Sequence, residues 1–206
     1  MLRLHRFRYS TNVDRIAMVL AHKGIADQVE SVWIDPADRS SLVALSGQDL
    51  VPVIEHEGRV LTDSPEILEY LDARFPEPPL FPADPSRAAQ VRLFVEWFNR
   101  VWKLAPNAIA DSDPAHPHAV HAATLQRHQD LVEGLLSDGR EHLFGDFGAA
   151  DVIAWPFLRY ATDADAEDTH PFHVTLRDHL SLEGRPHLAA WIERVGEAQG
   201  RAVFVV

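Results

Sequence analysis

The sequence predicts an α/β domain followed by an all-α domain, and three observations carry that reading. Residues 1–77 alternate short β-rich runs with helical patterns in the order βαβαββα. A break follows, PEPPLFPADP over residues 76–85, whose five prolines cannot lie inside an element. Beyond it the periodicity is helical, and no β-rich run recurs until the last few residues. The expected domains are 1–77 and 85–206, joined by a linker over 78–84.

Each element has its own local reason. Residues 2–8 alternate Leu2 and Leu4 with Arg3 and His5, a short strand. Over residues 13–23, Val13, Ile16, Ala17 and Leu20 recur at helical spacing, and Gly24 supplies the stop. Residues 29–34 are β-rich and end at Pro36, and residues 39–45 predict a short helix closed near Gly47. Two strands, 53–57 and 59–62, surround a Glu57-Gly58 turn. The next helix opens at Asp63-Ser64-Pro65, turning Ile67, Leu68, Leu71 and Phe75 inward and Glu66, Glu69 and Asp72 outward. In the second half the helical stretches are 86–103, rich in Phe94, Trp97, Phe98 and Trp102, then 117–136, 149–161 and 187–197.

Composition excludes several functions. A net charge of −12 lacks the basic footprint that nucleic acid or an anionic membrane requires. With no cysteine there is no disulfide, thiolate nucleophile or cysteine-ligated zinc. No apolar run approaches the roughly 20 residues of a membrane span, and MLRLHRFRYS is followed by no apolar stretch of a signal peptide. The expected setting is the cytoplasm.

Several motifs carry more than their local roles. Tyr9-Ser10 precedes the first helix, Val51-Pro52 opens the third strand, and Asp63-Ser64 opens the third helix. VLTDSPEILEYLDARFPEPPLFP runs into the linker, and LFGDFGAADVIAWPFLRY spans residues 143–160. In this combination the first half resembles a thioredoxin-like domain with a mixed four-stranded sheet, and the whole chain resembles a cytosolic glutathione S-transferase of the serine type. Thioredoxins and glutaredoxins are excluded, because their chemistry needs a Cys-x-x-Cys pair. The resemblance implies an enzyme transferring the thiolate of glutathione, its co-substrate, to an electrophilic small molecule, without a metal and as a homodimer. It equally allows a non-catalytic binding or interaction protein, or a glutathione-dependent isomerase or lyase.

By resemblance Ser10 holds the glutathione sulfur as thiolate, with Tyr9 and Asn12 as neighbouring substitutes. The physics permits this. Lowering a thiol from pKa about 8.5 to a mostly ionised state at pH 7 needs roughly 2.7 kcal/mol. A hydrogen bond to a charged acceptor contributes about 1.5–3 kcal/mol, and a helix N-terminus adds about 0.3–1. The plainer alternative is that Ser10 or Thr11 only caps the helix. The resemblance also implies a cis bond before Pro52, with the Val51 backbone paired to the cysteinyl part of the ligand; an ordinary edge proline is the alternative. Ser64 suits a helix cap and Pro65 a first helical position. A helix start beside Asp63 would answer the carboxylate and the ammonium of a γ-glutamyl group.

One departure stands out. The family commonly has a basic residue just before the Val-Pro pair, and here Leu50 occupies it with Asp49 alongside. Gln48 or Arg39 would then have to meet the glycyl carboxylate. For the electrophile, Phe98, Asn99, Trp102 and Tyr160 are candidate pocket residues, with Lys103 a further polar contact; helix packing accounts for the aromatics equally. Gly148-Ala149-Ala150-Asp151 stands where the family has a capping box, making Asp151 structural, with Asp146 as an alternative cap. His116, His118 and His121 match no metal motif and read as surface or packing histidines.

Overall fold

The computed structural model describes residues 1–112, 119–162 and 167–200. The described chain forms two compact units, whose main segments are Met1–Leu80 and Phe81–Gly196.

The first unit contains a four-stranded sheet in the order β2-β1-β3-β4. Strands β1 (Leu2–Arg6) and β2 (Val29–Trp33) pair in parallel, while β3 (Val53–His56) runs antiparallel to both β1 and β4 (Arg59–Thr62). The sheet is therefore mixed. Glu57 and Gly58 both take positive φ, 51° and 76°, the geometry of a tight hairpin turn whose twist suits two neighbouring strands. Helix α1 (Thr11–His22) packs on α3 (Ser64–Arg74), and the short α2 (Ser40–Ser46) meets β4. Leu4, Ile16, Leu20, Ile54, Ile67 and Leu71 form a core without solvent exposure. α1 also buries Asp14 and Arg15, so it is enclosed on more than its apolar stripe. Its C-terminal end is anchored by Lys23, whose ammonium donates to Asp72 of α3 and to the Pro78 carbonyl. The Val51-Pro52 and Glu77-Pro78 peptide bonds are both cis.

The regular elements of the second unit, among its described residues, are helices: α4 (Pro85–Trp97), α5 (Leu104–Ala110), α6 (Ala119–Leu136), α7 (Ala149–Leu158), α8 (Pro171–His179) and α9 (Pro186–Val195). Two features differ from expectation. The single helix expected over 86–103 ends at Trp97, passes through a wider π turn at Phe98–Trp102, and resumes as α5. Pro106 explains the interruption: a proline removes the bond to the carbonyl four residues earlier and its ring crowds that carbonyl, here Trp102's. α8 was not anticipated, because its buried face includes His173 and Thr175 and so lacks an apolar stripe. Phe98, Trp102, Phe157 and Trp191 fill the core. Asp151 ties its parts together, accepting from the Leu143 and Gly148 amides at 3.0 Å each and from Trp191 Nε1 at 2.8 Å. Among the described residues, no helix is long and apolar enough to cross a membrane.

Candidate functional site

Sheet register brings the motifs of the first unit to one end of the sheet. His5 of β1 lies opposite Val53 of β3, which lies opposite Thr62 of β4. Continuing each strand by a residue or two places the Phe7–Ser10 turn, Val51-Pro52 and Asp63-Ser64 side by side. Each has an unusual backbone. Tyr9 and Asp63 adopt φ of 63° and 65°, a left-handed conformation that non-glycine residues enter at a cost of about 1–3 kcal/mol and that clusters at functional sites. Val51 stands next to the cis bond and outside the ladder, which begins at Val53.

Ser10 is the N-cap of α1, and its hydroxyl oxygen accepts from the Val13 amide at 3.3 Å. That contact uses a lone pair, so the hydroxyl proton can still be donated outward. The helix of 12 residues behind it adds its positive end.

At α3 the geometry corrects the expected roles. Asp63, not Ser64, occupies the N-cap position, and its side chain makes no capping bond. Pro65 is accordingly the second helical residue. Asp63 is exposed, leaving its carboxylate open to a ligand, while Ser64 is buried. In the first turn Pro65 has no N–H, so Ser64 and Glu66 supply the amides that intrahelical bonding leaves over.

Beneath these groups lies Arg15. Its guanidinium has no solvent exposure and donates from Nη1 to Ser64 Oγ and to Asn12 Oδ1, at 3.1 Å each. The Ser64 hydroxyl also reaches Asn12 Oδ1 at 3.4 Å. Burial pulls the Arg15 pKa down to about 9, with Asp63 acting in the opposite direction, so the group stays cationic at neutral pH. The first turn of α1 and the start of α3 are thus joined by hydrogen bonds.

The neighbouring loop carries the remaining candidates. Leu50 is 58% exposed and offers no charge. Gln48 Nε2 approaches the Leu50 carbonyl at 3.5 Å. Arg39 donates from Nη1 to the Asp49 carbonyl at 3.1 Å and lies over the Phe7 ring at 5.1 Å. A cation therefore stands beside the position that Leu50 leaves uncharged.

Known proteins show the same plan. Profiles of the "Glutathione S-transferase, N-terminal domain" and "Glutathione S-transferase, C-terminal domain" match residues 4–79 and 96–194. The chain belongs to the glutathione S-transferase family. It is 28% identical to glutathione S-transferase omega-1 of Mus musculus over 160 residues, which is 77% of this chain and 66% of that protein. The structure of rice GST1 in complex with glutathione superimposes with a TM-score of 0.78 at 26% identity, covering 98% of this chain and 88% of that one. The maleylacetoacetate isomerase from Anaeromyxobacter dehalogenans gives a TM-score of 0.70 at 27% identity, covering 98% and 94%. Both domains of a family of transferases that use glutathione as co-substrate are thus matched in this chain.

In the helical unit of this transferase the expected pocket residues have mostly structural surroundings. Phe98 and Trp102 are fully buried and stack at 4.4 Å. Asn99 Nδ2 donates to the Val95 carbonyl at 2.9 Å, and Lys103 Nζ lies 4.7 Å from the Phe157 ring centre. Tyr160 is buried and donates to Asp168 at 2.7 Å, which also takes His173 Nδ1 at 2.8 Å. Packing accounts for Phe98 and Trp102, and a buried polar cluster accounts for Tyr160. His116 and His118 lie outside the described residues; among those described, no group of three metal-binding side chains assembles.

Sequence reasoning missed Arg15. Five residues after Ser10, it sits among Val13, Ile16, Ala17 and Leu20 and reads as a solvated position. Its only signal is the partner 49 residues away, and no local pattern displays that.

Proposed function

We propose that the chain transfers the thiolate of glutathione to an electrophilic small molecule, using the site between the starts of α1 and α3. The carrying observation is the hydrogen-bonded junction of Arg15, Asn12 and Ser64, which holds the α1 turn bearing Ser10 beside Asp63-Ser64. Ser10 donates its hydroxyl proton to the sulfur and favours the thiolate, with Tyr9 beside it. The Val51 backbone and Pro52 position the cysteinyl part. Asp63 meets the γ-glutamyl ammonium, while Ser64 and the leftover α3 amides meet its carboxylate. Arg39, next to Asp49, supplies the cation for the glycyl carboxylate that Leu50 cannot, with Gln48 at its side. The thiol proton leaves to solvent and the sulfur attacks the electrophilic carbon; in a substitution the leaving group departs with its bonding pair, and in an addition to a double bond the displaced electron pair takes a proton from solvent. Catalysis rests on a lowered thiol pKa and on positioning. The protein works in the cytoplasm as a homodimer, as is common for its family.

A second reading has a specific basis in the 27% identical maleylacetoacetate isomerase. In it the same thiolate adds to a substrate double bond and leaves again, giving isomerisation without net conjugation. A non-catalytic binding role is the reading that Asp49 and Leu50 favour.

Glutathione titration by calorimetry on wild type and Ser64→Ala tests the first step. Saturable heat that weakens about tenfold in Ser64→Ala is expected, the size of a lost hydrogen bond to a charged group; no heat at millimolar glutathione refutes the reading. The thiolate absorbance of bound glutathione then tests Ser10. In Ser10→Ala the bound thiol pKa should rise by about 1–2 units, and an unchanged value removes Ser10 from the mechanism. Glutathione that binds, yet conjugates no electrophile and isomerises no maleyl substrate, would identify a binding protein.

A further inference from the structure

Arg39 reaches the proposed ligand with much of its guanidinium already committed to the protein. Nε donates to the Pro36 carbonyl and Nη1 to the Asp49 carbonyl, at 3.1 Å each. The group also lies over the Phe7 ring, which ties it to the turn carrying Ser10. A guanidinium has five N–H donors, and among the described residues Nη2 makes no hydrogen bond. Arg39 is therefore held in place and still able to donate.

Asp49 changes what that donor can accept. Its Oδ2 lies 3.9 Å from the same Nη1, and the two side chains are 33% and 65% exposed, Arg39 the less. An ion pair this open to water adds little to the fold. Its effect on an incoming anion is of another kind: a glycyl carboxylate at Arg39 must share the cation with Asp49 and is repelled by it. Neither neighbour restores the balance, since Leu50 carries no charge and Gln48 is neutral. Arg39 and Asp49 together thus offer a donor beside an acceptor, with no net charge. A carboxamide matches that pair: its oxygen accepts from Arg39, its N–H donates to Asp49, and it meets no repulsion.

We propose that Asp49 is a specificity-determining residue: paired with Arg39, it makes the site accept thiols whose glycyl end is an amide as readily as glutathione itself. This rests on the glutathione reading above and adds to it a substrate class, glycyl-amidated glutathione.

The test compares glutathione with glutathione amide, which keeps the thiol and the γ-glutamyl group and replaces the glycyl carboxylate by a carboxamide. Calorimetric Kd values are measured on the full chain as wild type and Asp49→Asn, which retains the backbone carbonyl that holds Arg39. Wild type should bind the amide within about threefold of glutathione, or more tightly. Asp49→Asn should tighten glutathione about threefold to fivefold, the scale of an exposed charge pair, and leave the amide within about twofold. Raising salt from about 20 mM to about 500 mM should remove most of the glutathione gain, because exposed charges are screened. A wild-type preference for glutathione beyond about threefold would overturn the proposal. So would an unchanged ratio of the two Kd values in Asp49→Asn, or a gain that salt does not reduce, which would mark a change of loop shape. If Asp49→Asn does not fold by circular dichroism, Asp49→Ser carries the same comparison, and loss of fold in both would make Asp49 structural. Failure of wild type to bind either thiol overturns the underlying reading as well. Binding by wild type with an Asp49 effect equal for both thiols overturns only this proposal.

Discussion

Lys23 shows how much a single side chain can carry in the first unit. Its ammonium stem is fully buried, and it donates to Asp72 and to the Pro78 carbonyl, while Asp72 also accepts from the Leu80 amide at 2.9 Å. Lys23→Met keeps the stem and deletes the charge, leaving Asp72 without its cation. The expected cost is about 2–3 kcal/mol in denaturant unfolding, below the usual figure for a buried pair because Asp72 is partly solvated. In the helical unit, His128 and His173 both have pKa values below the usual imidazole range. Burial is the main cause for each; Asp168 pulls His173 upward without reversing it. The unfolded chain therefore binds these protons near pH 6.5 while the folded chain resists them. Their contribution to stability is complete above about pH 6.5 and is lost as pH falls below it. Melting temperature should drop between pH 7.5 and 5.5, and His128→Phe should flatten that slope. Parallel curves would assign the dependence to other groups.

At the scale of elements, the start of α7 depends on a residue inside the helix. Gly148 at the N-cap has no side chain, so Asp151 does the bonding there, accepting from Gly148, from Leu143 and from the Trp191 indole of α9. Asp151→Ala strands three buried donors and should cost about 3–5 kcal/mol or prevent folding, measured by chemical denaturation. Gly148→Ser should move stability by less than about 0.5 kcal/mol, since glycine is a tolerable cap. The asymmetry between these two neighbours tests whether the carboxylate or the cap residue organises this junction. Sequence legibility also differs by element. The Glu57-Gly58 hairpin and the start of α1 are visible because turn and cap chemistry are local. The π turn at Phe98–Trp102 and helix α8 are not, because one depends on how Pro106 is accommodated and the other buries histidine and threonine.

At the scale of the whole molecule, a net charge of −12 and a pI near 5.4 give a solvated acidic surface. Solubility should reach its minimum near pH 5.4, as self-repulsion vanishes there, and turbidity against pH measures it. The sequence by itself determined the division into an α/β and an all-α unit, the βαβαββα order and the family. It also marked Ser10, Val51-Pro52 and Asp63-Ser64, because helix caps, turn residues and proline breaks act within a few residues. Only the tertiary structure decided that Asp63 takes the cap position, that Ser64 turns inward, and that Arg15 lies between the two helix starts. Those outcomes are set by contacts about fifty residues apart in a space closed to water. There an arginine amid apolar neighbours becomes a buried hydrogen-bond donor, and nothing in its local pattern separates it from one facing solvent.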